Sequence, residues 1–189
     1  MAIRPIIRFP DPLLGIAAET ASRFEEDLRQ LAEDLLDTMR AAPGIGITAP
    51  HIGVLRRVTV IELDQKTGPR TFINPEIVWR SSETARHSEG SVSMPGISEE
   101  VERPASVRVR YQTLSGEPAE EEADGLMAVC LQHELDQLDG IFWTRRLSTR
   151  RETLQKVVTP GATACFLNRN RFYDENMQRF KVLPRPWCV

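Results

Sequence analysis

"QHELDQLDG", residues 132–140, decides how the rest of the chain is read. His133 and Gln137 stand one helical turn apart, so their side chains reach toward the same spot. Glu134 projects about 100° further around the axis. A helical His-Glu-x-x-His segment would hold a metal with both imidazoles and keep the glutamate for proton transfer. Here the second histidine is replaced by Gln137. Taken alone, a histidine on a largely apolar helix is more often a hydrogen-bonded core residue than a ligand.

The surrounding segment "EEEADGLMAVCLQHELDQLDG" (120–140) predicts a helix beginning near Asp124, a good N-cap, and leaving at Asp139-Gly140. Leu126, Val129, Cys130, His133 and Gln137 share one face, while Leu131, Leu135 and Leu138 cover another, so the helix is expected to be largely buried. Upstream, "ASRFEEDLRQLAEDLLDTMRAA" (21–42) places Phe24, Leu28, Leu31, Leu35 and Met39 on one apolar stripe, which predicts a first amphipathic helix stopped by Pro43-Gly44. Between the helices, "RRVTVIEL" (56–63), "TFINPEIVW" (71–79) and "SVRVRYQTL" (106–114) read as strands. In the last, Val107, Val109 and Tyr111 alternate with Arg108, Arg110 and Gln112. A third amphipathic segment is expected over 148–158 and a short helix near 174–180. Helix first, strands in the middle and a helix near the end indicate an α+β fold.

Composition bounds the function. The 189 residues suffice for one domain, and 41% hydrophobic with 27% charged residues is ordinary for a globular protein. A net charge of −3 provides no global field for nucleic acid or anionic membrane. The arginines of "TRRLSTRR" (144–151) read as a solvated helix face. No stretch reaches the ~18 apolar residues of a membrane span, and the N-terminus is a poor signal peptide. Three widely spaced cysteines, Cys130, Cys165 and Cys188, imply no disulfide framework and suit a reducing cytoplasm.

Two further blocks accompany the helix motif. "GIGITAP" (44–50) carries two glycines that let backbone approach a ligand closely, and "SEGSVSMPG" (88–96) sets Gly90 beside Ser91 in a probable edge strand. Each also reads as a plain turn or strand end. In order and spacing, however, "GIGITAP" with His51, "EGSVS" (89–93) and "QHELDQLDG" resemble the peptide deformylase family. "IIRFPDPLL" (6–14) and "ADGLMAVCLQHE" (123–134) add to the resemblance, which covers about residues 5–158. It implies sheets wrapped around a central helix that carries the HExxH-type motif, in a domain spanning 1–158. Residues 159–189 then form an extension packed on it or trailing from it.

The resemblance also implies a reaction: removal of the formyl group from the N-terminal methionine of nascent proteins. One divalent metal (iron, zinc, nickel or cobalt) would serve it, held by a cysteine and two histidines. Carried onto this chain, the ligand positions are Ser91, His133 and Gln137. The general acid/base is Glu134, and the oxyanion helpers are the Val92 N–H and the side chain of His51. Substrate would be lined by Ile45, Gly46, His87, Gly90, Leu126, Val129 and Cys130, and the partners would be N-terminal peptides of nascent proteins.

The departures fall on the metal. Ser91 offers a hydroxyl where a thiolate is expected, and Gln137 a neutral amide where an imidazole is expected. Neutral oxygens suit soft and borderline metals poorly. Metal coordination lowers the pKa of bound water from ~15.7 to ~7. At ~1.36 kcal/mol per unit this is about 12 kcal/mol, an upper bound on the kinetic loss. General-base assistance is worth only about 10²–10⁴-fold and does not replace it. The expectation is a peptide deformylase-like protein with little or no ordinary deformylase activity and no metal at full occupancy. The alternative is an active N-acyl or N-formyl hydrolase with a weak metal site. That site could also be rebuilt from His51, His87 and His133, with Cys130 or Asp136 as further donors. A nucleophilic Ser91 would need an adjacent base, which spacing alone does not show.

Overall fold

The computed structural model describes residues 2–147. The expected helices over 148–158 and 174–180 and the extension over 159–189 lie outside the described residues. Elements follow in the order α1 (Glu26–Ala41), β1 (Gly46–Thr48), β2 (Val58–Ile61), β3 (Arg70–Arg80), β4 (Thr84–Ser91), β5 (Met94–Pro104), β6 (Ser106–Gln112), β7 (Pro118–Asp124) and α2 (Gly125–Leu138). Short 3-10 turns occupy Pro12–Gly15, Ala49–Ile52 and Trp143–Arg146. This is the α+β arrangement read from the sequence. Among the described residues, no helix is long and apolar enough to cross a membrane.

Five strands form an antiparallel sheet in the order β1-β2-β3-β6-β7, and β4 and β5 form a separate hairpin. Strand alternation assigns the two helices to opposite faces of the sheet. Val58, Val60 and Ile73 pack with Leu28, Leu35 and Met39 of α1. Ile61, Phe72, Val107 and Val109 pack with Ala128, Cys130 and Leu131 of α2. The far side of α2 meets the β4–β5 hairpin, where Arg103 of β5 reaches Asp136 and Glu89 of β4 reaches His133. The central helix is thus enclosed between sheet and hairpin, which is why every residue from 128 to 138 is buried.

The first helix starts at Glu26, later than its apolar stripe suggested. The preceding Ala21 is held instead by the side chain of Asn74, which accepts from its N–H at 2.7 Å and donates to its carbonyl at 2.8 Å. Asp124 stands at the N-cap of α2 as expected, yet its side chain makes no capping bond. The acidic run Pro118–Asp124 forms a strand that apolar alternation does not reveal. Its Glu120 and Glu122 sit opposite Arg110 and Arg108 of β6 and pair with them. These pairs lie on the exposed face, while Ala123 supplies the strand's buried apolar position.

The hairpin is irregular beside Ser91. Gly90 pairs with Ser98, but Ser91 pairs with Met94, so β5 carries extra residues at this point. The bulged strand turns the Ile97 carbonyl onto Gly90, where a Cβ would come within 2.7 Å of that oxygen. Gly90→Ala is therefore expected to cost about 1–3 kcal/mol as an overpacked site, read as a lower urea midpoint. Gly15→Ala, whose added carbon meets nothing within 4 Å, should stay within about 0.5 kcal/mol of the parent.

Candidate functional site

Inward alternation along β4 brings His87, Glu89 and Ser91 to one side of the strand, and burial deepens from half-buried His87 to fully buried Glu89 and Ser91. Opposite them, α2 presents His133 and Glu134. The Glu89 carboxylate is gripped by Arg103 through Nε at 2.5 Å and Nη2 at 2.8 Å. Arg103 Nη1 reaches Asp136 at 2.8 Å, and Asp136 also pairs with Arg146. Burial alone would raise the Glu89 pKa. The hydrogen bonds from Arg103 and His133 outweigh it and hold the carboxyl ionised, down to about 2.

An ionised carboxylate only accepts hydrogen bonds. The 3.0 Å contact between Glu89 Oε2 and His133 Nδ1 therefore places a proton on Nδ1, and the remaining ring nitrogen, Nε2, carries the lone pair when the ring is neutral. His51 has the opposite arrangement. It sits on the 3-10 turn Ala49–Ile52, where the backbone N–H of Thr48 donates to Nδ1 at 3.0 Å. Its proton is then on Nε2, which is buried and has no partner among the described residues. Burial first, and the neighbouring His133 second, push the His51 pKa down to about 3. His51 is a neutral donor at physiological pH.

Glu134 is fully buried, and both carboxylate oxygens lack a hydrogen-bond partner among the described residues. Burial, reinforced by the charge of Glu89, raises its pKa well above the ordinary carboxyl range. Gly46 makes room for it: a Cβ on Gly46 would collide with Glu134 Oε1. The glycine read as a point of close backbone approach accommodates a carboxyl of the protein itself. Gly44 similarly leaves space for Val92 Cγ1.

Of the expected lining residues, Ile45 and Cys130 lie in one apolar cluster, Val129 is buried, and Leu126 is exposed at the opening turn of α2. Burial first, then the charges of Glu134 and Glu89, push the Cys130 thiol far up, so it stays protonated.

The residues present do not fit a transition metal. Gln137 Nε2 donates to the Leu14 carbonyl at 2.9 Å, tying α2 to the N-terminal segment. Ser91 Oγ accepts the Ser93 N–H at 3.1 Å. Among the described residues, no three His, Cys, Asp or Glu side chains gather so as to hold a metal ion. The alternative grouping of His51, His87 and His133 with Cys130 or Asp136 is therefore not assembled. Two residues that build this buried network escaped the sequence reading. Glu89 lay within the quoted "EGSVS" block, and Arg103 in "EVERP" had no local signal at all.

The polypeptide deformylase family model matches residues 3–153. A peptide deformylase-like protein of Rhizobium meliloti (strain 1021) is 74% identical over 148 residues, covering 78% of this chain and 86% of that protein. A peptide deformylase of Phenylobacterium zucineum (strain HLK1) is 46% identical over 162 residues, covering 83% and 96%. The crystal structure of a peptide deformylase from Synechococcus elongatus in complex with actinonin superposes with a TM-score of 0.76 at 36% identity, covering 82% of this chain and 86% of that one.

Two outcomes test this geometry. Arg103→Leu leaves buried Glu89 and Asp136 short of a cation and should cost about 3–5 kcal/mol in urea unfolding. Nitrogen-detected NMR should show His51 as the neutral Nε2–H tautomer at pH 5, since its pKa lies at about 3. Between the ordinary 6.5 and that value, the unfolded chain binds the extra proton, so the stability His51 contributes falls as pH drops.

Proposed function

This chain belongs to the peptide deformylase family, and we propose that it is a deformylase-like member with little or no ordinary deformylase activity. The observation that carries this reading is the hydrogen bonding at the ligand positions. Gln137 spends its amide N–H on the Leu14 carbonyl, and Ser91 offers a hydroxyl already engaged by the Ser93 N–H. His133 alone retains an imidazole nitrogen suited to a metal. The donor chemistry supports weak, substoichiometric metal binding rather than a resident ion.

The binding side of the site is better kept than its chemistry. Ile45, Val129 and Cys130 remain buried and apolar or near-apolar, Val129 and Cys130 on the helix of His133, and exposed Leu126 stands at the start of that helix. These features support recognition of an N-terminal peptide of a nascent protein, with Val92 N–H and His51 Nε2–H as the groups that would meet its carbonyl oxygen. Glu134, buried and held toward its neutral form, is poorly placed to act as a base. A cytoplasmic location belongs to the same reading, supported by bacterial relatives.

Metal analysis of the purified chain, with turnover of a formyl-Met peptide, tests the proposal. Loss of a single outer-shell partner of a metal ligand costs about 10–100-fold. Replacing two ligands should leave turnover more than about 10²-fold below that of an active family member, with metal well below one per chain. Ser91→Cys combined with Gln137→His should raise nickel or zinc uptake toward one per chain. A stoichiometric metal and ordinary deformylation in the unaltered protein would establish the alternative reading of a working metallohydrolase.

A further inference from the structure

We propose that Arg8 is a positioning residue for peptide recognition: from the N-terminal segment its guanidinium holds the Val92 carbonyl and so sets the turn that follows Ser91. The inference deepens the reading above and rests on it, since there the Val92 N–H and the His51 side chain meet a carbonyl oxygen of an N-terminal peptide.

Three consecutive residues join the two blocks that carry those groups. The Ile7 N–H donates to the His51 carbonyl at 2.8 Å. Arg8 Nη1 donates to the Val92 carbonyl at 2.6 Å. The Phe9 N–H donates to the Ser93 carbonyl at 3.0 Å. The segment is therefore bonded at Ile7 to the 3-10 turn of His51, and at Arg8 and Phe9 to the turn after Ser91.

A peptide unit is planar, so a hydrogen bond at each end fixes its orientation. The Val92–Ser93 unit is held in this way: its oxygen accepts from Arg8, and its N–H donates to Ser91 Oγ at 3.1 Å. Phe9 holds the oxygen of the next unit. On the other side of Val92, β4 ends at Ser91, which stands opposite Met94 in the hairpin ladder. Val92 is thus constrained from both directions. The direction of its own N–H then follows from the two backbone dihedrals between the flanking units.

The segment that carries Arg8 is itself anchored. Phe9 stacks on Phe142 with ring centroids 4.8 Å apart, against the cluster of Leu14, Ile97, Val101 and Trp143. Further along, the Leu14 carbonyl accepts from Gln137, and the Ala18 N–H donates to the Leu138 carbonyl. One N-terminal segment therefore touches all three motif blocks. Arg8 also differs from its neighbours in what it binds. Arg4, Arg40, Arg56 and Arg57 each pair with a carboxylate, whereas Arg8 forms no ion pair among the described residues and spends its bond on a backbone carbonyl. Its side chain is exposed, so the core does not need it for packing. A charged donor on a carbonyl is stronger than a neutral one.

Binding of formyl-Met-Ala-Ser to the full chain is measured by calorimetry, and exchange of the Ser93 amide is followed by NMR without peptide. Arg8→Ala should weaken binding about tenfold, the scale of one hydrogen bond to a charged group, and should speed Ser93 exchange. Arg8→Lys keeps a charged donor and should bring the affinity back to within about threefold of the parent. Arg4→Ala lies on the same segment but is bonded to Asp34 of α1, and it should leave both readouts at parent values. A purely structural Arg8 would lower the urea midpoint of Arg8→Ala while the folded protein binds peptide as the parent does. Parent affinity and parent Ser93 exchange in Arg8→Ala, or no recovery in Arg8→Lys, overturns the positioning role and leaves the recognition reading standing. A parent chain that binds no formyl-Met-Ala-Ser at millimolar peptide overturns both.

Discussion

The Glu89 carboxylate, buried without exposure and clamped by Arg103, is the constraint on which the rest of this site depends. Removing two charges from water costs several kcal/mol per ion unless their hydrogen-bonding capacity is filled. Here it is filled twice over: Arg103 engages both oxygens of Glu89 and continues to Asp136, while His133 takes a further place on Glu89. The network ties the hairpin to the central helix through Arg103–Asp136 and Glu89–His133. It also sets the orientation of His133, and so decides what chemistry that ring can perform.

Ser91 and Gln137 are both buried and both hydrogen-bonded within the chain. Gln137 joins the central helix to the N-terminal segment, and Ser91 closes the tight turn through Ser93. What remains unusual is a set of buried polar atoms with no partner among the described residues, His51 Nε2 and both oxygens of Glu134. Unsatisfied buried groups are costly in a folded protein and gather where chemistry or binding is done. Neutralisation of both residues reduces that cost, since a buried neutral group is far cheaper than a buried charge.

Steric constraint complements the electrostatic one. Gly46 and Gly90 flank the site, one leaving space for the carboxyl of Glu134 and the other for the Ile97 carbonyl of the bulged strand. Both glycines were noticed in the sequence as points of close approach. The partner in each case turned out to be the protein's own oxygen, which a local reading has no means to identify.

The sequence by itself determined the family, both helices and the alternation of β6, because each of these is written in neighbouring residues: a period, a cap, a short motif. The resemblance also singled out Glu134 and His51, as expected general acid/base and oxyanion helper. Only the tertiary structure decided their states. The bonds that matter join Glu89 to Arg103 fourteen residues away in sequence, Arg103 to Asp136 at thirty-three, and Glu89 to His133 at forty-four. The acidic strand β7 likewise pairs along its length with β6, a partner that its own sequence does not name. Propensity and periodicity act over a few residues, whereas the protonation of a buried group depends on whatever charge the fold brings beside it.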